Sequence, residues 1–123
     1  MVAIFALLLL ALPSLAAETP ARISEKDSGR TIGLKTGDVL EVTLAGNPTT
    51  GYSWSVASVG EILKQLGEPV FESASPGLTG AGGKVLLRFQ ALRPGKTVLK
   101  LAYRRIWEKK APAATFEVTI RVR

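Results

Sequence analysis

The side chains that could perform covalent or acid–base chemistry are few in this sequence. Its 123 residues contain no cysteine and no histidine, which excludes thiol nucleophiles, disulfides and the most common zinc ligand. Aspartate, glutamate, lysine and tyrosine remain, but no two carboxylates fall close together in a recognisable loop. An enzyme is therefore the least expected class of protein, and neither a metal site nor a cofactor is predicted. The candidate functional residues are those that could bind a partner.

The first candidate binding segment is GNPTTGYSW, residues 46–54. Asn47 is pushed towards an extended conformation by the following proline, whose own φ is fixed, and Gly51 tolerates a positive φ. This pattern predicts a stiff loop that displays Thr49 and Thr50. Stiff turns also occur at plain corners of a sheet, so the segment alone does not separate a binding loop from a structural corner.

The second candidate is SPGLTGAGGKV, residues 75–85. Its closely spaced glycines indicate a flexible or tightly curved loop with little side-chain bulk. No Gly-Lys-Ser/Thr follows, and no strand–loop–helix context surrounds the segment, so a phosphate-binding loop is excluded. Close approach of this backbone to the backbone of a partner remains open.

The third candidate is YRRIWEKK, residues 103–110, where a strand pattern ends in two arginines and a tryptophan. Tryptophan and arginine are the residue types most enriched at binding hot spots. A tryptophan in a charged turn is untypical of a core, so Trp107 is expected to be exposed. The alternative is a tryptophan folded back over the edge of the sheet.

A hydrophobic period of two predicts the strands that must position these loops. Turn-forming residues separate the alternating runs, which points to short, half-buried strands. The prediction is an all-β fold, an immunoglobulin-like antiparallel β-sandwich with Greek-key connections, in which alternate loops emerge at the same end. Residues 60–71 fit either one helical turn or a short strand. The alternating runs are residues 38–46, 52–56, 84–92, 96–104 and 115–123.

The first 17 residues are uncharged and apolar and end in small residues. They are typical of a secretory signal peptide, and the apolar run is shorter than the roughly 20 residues of a membrane-spanning helix. Anchoring through an intact segment is the alternative. Export to the periplasm or the medium is expected, with no membrane attachment after cleavage. Residues 18–29 are polar without a period and predict a flexible segment, and residues 30–123 predict one domain.

The basic balance of the chain limits its partners. Sixteen lysines and arginines against ten acidic residues give a net charge of +6. These charges are scattered rather than gathered in a stripe with stacking aromatics, so a nucleic-acid partner is not expected. We interpret the net charge as a feature that favours solubility and steers acidic partners towards the protein. A monomer is the default expectation.

Taken together, NPTTGYSW, GLTGAGG and YRRIWE, in this order and separation, resemble the chagasin family of cysteine-protease inhibitors, inhibitor family I42. The resemblance runs from about Gly33 to Arg123. It implies reversible, competitive inhibition of papain-like, cathepsin L-like proteases, with loops 46–51, 76–83 and 104–110 entering the active-site cleft. Such blocking needs shape and rigidity, so the missing cysteine and histidine are no obstacle.

The same resemblance implies a role for each loop. The central loop lies across the catalytic cysteine of the protease without being cleaved, and the glycine-rich loop contacts the protease partly through its backbone. The usual Arg-Pro-Trp of the third loop is Arg-Ile-Trp here, so the stiffness of proline is missing at Ile106. The implied protease-binding residues are Asn47, Pro48, Thr49, Thr50, Gly51, Leu78, Thr79, Gly80, Ala81, Gly82, Gly83, Arg105 and Trp107.

A second class of function is an exported immunoglobulin-like adhesion or assembly module that uses the same loops for a partner other than a protease. The fold alone does not separate the two classes. The joint presence of the three motifs favours the inhibitor.

Overall fold

The computed structural model describes residues 20–78 and 80–123. The predicted signal peptide and Thr79 lie outside the described residues. In these two ranges no helix is long and apolar enough to cross a bilayer. Two short 3-10 helices are present, Glu25–Asp27 and Pro48–Thr50. The strands are β1 Ala21–Ser24, β2 Thr31–Leu34, β3 Val39–Gly46, β4 Ser53–Ser58, β5 Leu63–Gln65, β6 Val70–Ser73, β7 Gly83–Ala91, β8 Gly95–Arg104 and β9 Ala114–Val122.

The strands form two sheets. The first has the order β1-β3-β7-β5, with β6 also paired to β7, and the second has the order β2-β9-β8-β4. The long central pairs, β3 with β7 and β8 with β9, are antiparallel. The predicted immunoglobulin-like sandwich is confirmed, and each of the five predicted alternating runs corresponds to a strand.

Two edge strands depart from the predicted antiparallel pairing. β1 pairs parallel with β3, and β2 pairs parallel with β9. Neither pair is joined by a hairpin, because β2 of the other sheet comes between β1 and β3 in the chain, and β3 to β8 come between β2 and β9. Only a tight hairpin forces neighbouring strands to run antiparallel, so these two directions were free to differ.

The core lies between the sheets and follows the alternation of the sequence. In β3, for example, Leu40, Val42 and Leu44 are fully buried, whereas Glu41 and Thr43 face outwards and are only partly covered. Complete burial of each such side chain contributes roughly 1.5–3 kcal/mol to folding. The largest fully buried side chains are Phe89, Phe116, Leu40, Leu44, Leu87, Leu99, Leu101 and Ile120.

The prediction of a flexible segment over residues 18–29 is wrong for residues 21–27. Ile23 of β1 is buried against the core and pairs with Val42. After the strand, the Asp27 carboxylate accepts hydrogen bonds from the Ser24 backbone N–H at 2.9 Å and from Arg30 at 3.2 Å. One buried isoleucine and local capping order this segment, and neither produces a visible period. The ambiguous residues 60–71 contain β5 and the first two residues of β6, so the strand alternative is the correct one.

Candidate functional site

Three connections form the candidate site. We call residues 47–52, between β3 and β4, the central loop. Residues 74–82, between β6 and β7, are the glycine-rich loop, and residues 105–113, between β8 and β9, are the tryptophan loop. They correspond to the three segments identified in the sequence.

Strand register brings these loops to one end of the sandwich. Gly46, the last residue of β3, pairs with Gly83, the first residue of β7, so the central and glycine-rich loops start side by side. In the other sheet Ser53 pairs with Arg104, which places the central and tryptophan loops side by side as well. The predicted composite surface of three loops is therefore formed.

The central loop is a capped 3-10 turn. The side-chain Oδ1 of Asn47 accepts hydrogen bonds from the Thr49 N–H at 3.2 Å and the Thr49 hydroxyl at 2.6 Å. The Thr50 hydroxyl donates to the Asn47 carbonyl oxygen at 2.6 Å. Gly51 ends the turn with φ +83°, a conformation that favours glycine. These bonds and the fixed φ values are what a stiff loop requires, and both threonine side chains are exposed.

Hydrogen bonds join the central loop to its surroundings on three sides. Asn47 Nδ2 donates to the carbonyl oxygen of Gly80 in the glycine-rich loop at 3.0 Å. Arg105 Nε of the tryptophan loop donates to the carbonyl oxygen of Thr50 at 2.9 Å. Beneath the loop, the hydroxyl of Tyr103 accepts from the Asn47 backbone N–H at 2.9 Å. The three loops therefore form one connected surface.

A column of rings connects this surface to the core. The Arg105 guanidinium lies 4.6 Å from the ring centroid of Tyr52, and Tyr52 lies 5.3 Å from Tyr103. Tyr103 stacks on Trp54 with centroids 5.1 Å apart. The buried Trp54 donates its indole N–H to the carbonyl oxygen of Ala45 at 2.9 Å. Stacking of this kind stabilises the loops against movement relative to the sheets.

The tryptophan loop begins with a four-residue turn, closed by a hydrogen bond from the Glu108 N–H to the Arg105 carbonyl oxygen at 3.1 Å. Its two central residues are exposed, Ile106 at 75% and Trp107 at 67% of their maximal area. The expectation that Trp107 is exposed is confirmed. One edge of its ring still rests against Gly51, where an added Cβ would lie 2.6 Å from Trp107 Cη2.

Glu108 contacts three basic side chains at this end of the sandwich. Its carboxylate lies 3.0 Å from Arg105 Nη1 and 3.9 Å from Lys110 Nζ. Its backbone carbonyl oxygen accepts from Arg104 Nη2 at 2.9 Å. The hydrogen bond to Glu108 raises the pKa of Arg105 further above its already high value, so Arg105 stays charged at any physiological pH.

The glycine-rich loop is closed at its base by a hydrogen bond from the Ala74 N–H to the Gly82 carbonyl oxygen at 3.1 Å. Leu78 near its tip is 68% exposed. Gly83, one of the implied binding residues, is the first residue of β7 and is partly covered. A Cβ there would collide with the carbonyl oxygen of Glu72, so this glycine is explained by packing inside the sheet.

The sequence interpretation did not assign a site role to Tyr52, Tyr103 or Glu108. Both tyrosines lie in the alternating runs, at positions that face inwards with their buried neighbours and are half-buried, but alternation carries no signal for their contacts with Asn47 and Arg105. Glu108 lies three positions after Arg105, a spacing at which a turn brings opposite charges together. No group of three or more metal-ligating side chains occurs in residues 20–78 and 80–123. The arrangement is suited to binding.

Comparison with known proteins identifies the family. Residues 33–122 match the family described as Chagasin family peptidase inhibitor I42. The chain belongs to this family. It is a cysteine protease inhibitor and not an enzyme, and the match does not support the alternative of an adhesion module. Amoebiasin-1 of Entamoeba histolytica is 37% identical to this inhibitor over 100 residues, covering 81% of this chain and 97% of amoebiasin-1.

Solved structures agree with this assignment. The crystal structure of a cysteine protease inhibitor from Entamoeba histolytica matches this inhibitor with a TM-score of 0.74 and 26% identity, over 84% of this chain and 95% of that chain. PbICP-C, solved in complex with falcipain-2, matches with a TM-score of 0.60 over 87% of this chain and 93% of that chain. At 18% identity, this second likeness shows a shared fold.

Proposed function

We propose that this inhibitor acts as a monomer on papain-like, cathepsin L-like cysteine proteases, and that its three loops enter the active-site cleft together. The observation that carries the proposal is the pair of hydrogen bonds from Asn47 to Gly80 and from Arg105 to Thr50, which join the loops into one surface. A surface that is ordered before docking loses less conformational entropy on binding, and the saving strengthens affinity.

The chemistry of this surface supports the same proposal. Leu78, Ile106 and Trp107 are large apolar side chains left exposed at the loop end. Large apolar side chains left exposed on neighbouring loops favour an interaction surface there, and a tryptophan that becomes buried on docking is a frequent anchor of an interface. Three loops of this size are able to form an interface of roughly 1,600 Å², the usual size for a protease–inhibitor pair.

The backbone of the central loop suggests why it would block the protease without being cleaved. The carbonyl oxygens of Asn47 and Pro48 accept hydrogen bonds from the N–H groups of Thr50 and Gly51. Those bonds would have to break before the segment became extended. In our proposal Thr49 and its neighbours lie across the catalytic cysteine in this turned conformation, and docking leaves the turn intact.

Titration of active-site-calibrated papain with the purified protein tests the proposal. We expect reversible, one-to-one loss of activity that recovers on dilution. The Thr49→Ala variant should inhibit less well with an almost unchanged melting temperature, because this side chain is exposed and its hydrogen bond to Asn47 lies at the surface. Failure of the folded protein to inhibit either papain or a cathepsin L-like enzyme would contradict the proposal.

We further propose that the inhibitor is exported and that residues 1–17 are removed. The uncharged apolar segment followed by small residues supports this. Mass spectrometry of protein recovered from the periplasm or the medium should find a chain that begins at Glu18. Recovery of the uncleaved chain from the membrane fraction would favour anchoring instead.

A further inference from the structure

The tip of the tryptophan loop is a turn whose stiffness does not come from proline. Ile106 and Trp107 are its two central residues, and neither has a positive φ, as expected for a type I turn. Proline is favoured at the first of these positions because it fixes φ. With isoleucine there, the backbone of the free turn has more conformations to lose when a protease binds.

Contacts of Glu108 restrain the backbone of this turn, which has no proline. Its N–H closes the turn on the Arg105 carbonyl oxygen at 3.1 Å, and its carboxylate holds Arg105 Nη1 at 3.0 Å. Its carbonyl oxygen is held by Arg104 Nη2 at 2.9 Å. The Glu108 side chain is only 22% exposed. Partial burial and several simultaneous bonds give such a network more effect than an isolated surface pair.

The contact with Glu108 also orients Arg105 towards the central loop. Nη1 bonds the carboxylate, and the guanidinium lies over the ring of Tyr52. In this orientation Nε points at the Thr50 carbonyl oxygen, 2.9 Å away. An arginine without its carboxylate partner samples other rotamers and leaves this carbonyl oxygen. The effect of Glu108 therefore extends from the tryptophan loop to the central loop.

We propose that Glu108 is a positioning residue of the inhibitor, which stiffens the Arg105–Glu108 turn in place of proline and, through Arg105, holds the central loop in its docking position. The proposal rests on the proposed function, in that both loops are taken to contact the protease. Glu108 itself acts by positioning its neighbours. Because it acts on loop order, its loss should appear mainly as faster dissociation of the complex.

A double-mutant cycle tests this role. We expect Glu108→Ala to weaken inhibition of papain on the order of tenfold, the cost of re-ordering one or two long side chains and a turn. Ile106→Pro alone is the reference arm of the cycle, because it also removes an exposed apolar side chain of the loop surface and its effect on inhibition includes that loss. In the Glu108→Ala background the same proline should improve inhibition by more than it does in the wild type and restore part of the lost affinity, because it stiffens the turn without re-orienting Arg105. Only a stiffening role predicts this rescue, because proline replaces the rigidity and not the charge.

Glu61→Gln is the matched control. It removes an exposed ion pair with Arg93, at 3.4 Å, at the opposite end of the sandwich. This variant should inhibit like the wild type. Equal improvement by Ile106→Pro in both backgrounds, or wild-type inhibition by Glu108→Ala, would overturn the proposal.

Amide hydrogen exchange of the free proteins separates this proposal from the proposed function. The N–H groups of Thr50 and Gly51, bonded within the central loop, should exchange faster in Glu108→Ala than in the wild type or in Glu61→Gln. Unchanged exchange would overturn the positioning role even if the wild type inhibits papain. Faster exchange in a protein that inhibits no papain-like enzyme would support the positioning role and contradict the proposed function.

Discussion

Arg105 Nε donates a hydrogen bond to the carbonyl oxygen of Thr50 at 2.9 Å, although the two residues are 55 positions apart in the chain. This bond joins the tryptophan loop to the central loop. Asn47 makes the corresponding connection to the glycine-rich loop through Gly80. Because the loops share these bonds, substitutions in different loops should have non-additive effects on inhibition.

Trp107→Ala tests the tryptophan loop as a binding anchor. We expect a loss of about 2 kcal/mol or more in binding, roughly 30-fold in the inhibition constant, as is common when a tryptophan anchor is truncated. The melting temperature should change little, since the side chain is 67% exposed in the free protein. Inhibition assays and thermal unfolding measure the two effects. Inhibition equal to that of the wild type would remove this loop from the binding surface.

Gly51→Ala tests the contact between the central and tryptophan loops. The new methyl group would enter the space of the Trp107 ring, 2.6 Å from Cη2, at a residue with φ +83°. Strain alone costs about 1 kcal/mol of stability, and displacement of the ring should weaken inhibition in addition. Gly37→Ala is the matched control, with φ +94° and no atom within 4 Å of the added Cβ. A similar inhibition constant for the two variants would contradict the prediction.

Tyr103→Phe removes the hydroxyl under the central loop and keeps the ring stacked on Trp54. The Asn47 N–H loses its partner at 2.9 Å, which should cost about 1 kcal/mol of loop stability. We expect several-fold weaker inhibition of papain. Tyr52→Phe serves as comparison, because it keeps the ring beneath Arg105 and leaves the bond to Asn47 in place. An equal effect of the two substitutions would show that the Tyr103 hydroxyl does not hold the loop.

Asp27→Asn tests the pH dependence of stability. Chiefly the hydrogen bond from the Ser24 N–H, and in addition the neighbouring Arg30, lower the pKa of Asp27 below its ordinary value of 3.8. A lowered pKa in the folded state stabilises the protein above the unfolded pKa, and the effect is lost as pH falls through the folded pKa. The variant should melt at a lower temperature than the wild type at neutral pH, and the difference should shrink below about pH 3.8. A difference independent of pH would exclude this linkage.

The sequence alone determined the main strands and the three candidate loops. Alternation of apolar residues along 38–46, 84–92, 96–104 and 115–123 predicted long strands, because a period of two is a local property of a half-buried strand. The turn chemistry of residues 46–51 predicted a stiff loop for the same reason, since the φ preferences of proline and glycine act within a few residues. The joint motifs also predicted the family, which the match over residues 33–122 confirms.

Only the tertiary structure decided which distant groups meet. β1 is ordered by pairing with β3, and its single buried Ile23 leaves no periodic signal in the sequence. The parallel direction of β1 and β2 depends on the distant strand with which each one pairs. Position 83 requires glycine because the backbone of Glu72 lies against it. Each of these features is a relation between segments, and composition or spacing within one segment does not encode it.

The same distinction holds for the site. Arg105 and Trp107 were predicted binding residues, but the contacts of Arg105 with Thr50 and Tyr52 were not foreseen, and neither was the role of Glu108. The local sequence pattern predicts which side chains a loop carries. The register of β3 with β7 and of β4 with β8 decides which loops become neighbours, because a hydrogen bond requires its two atoms to lie about 3 Å apart.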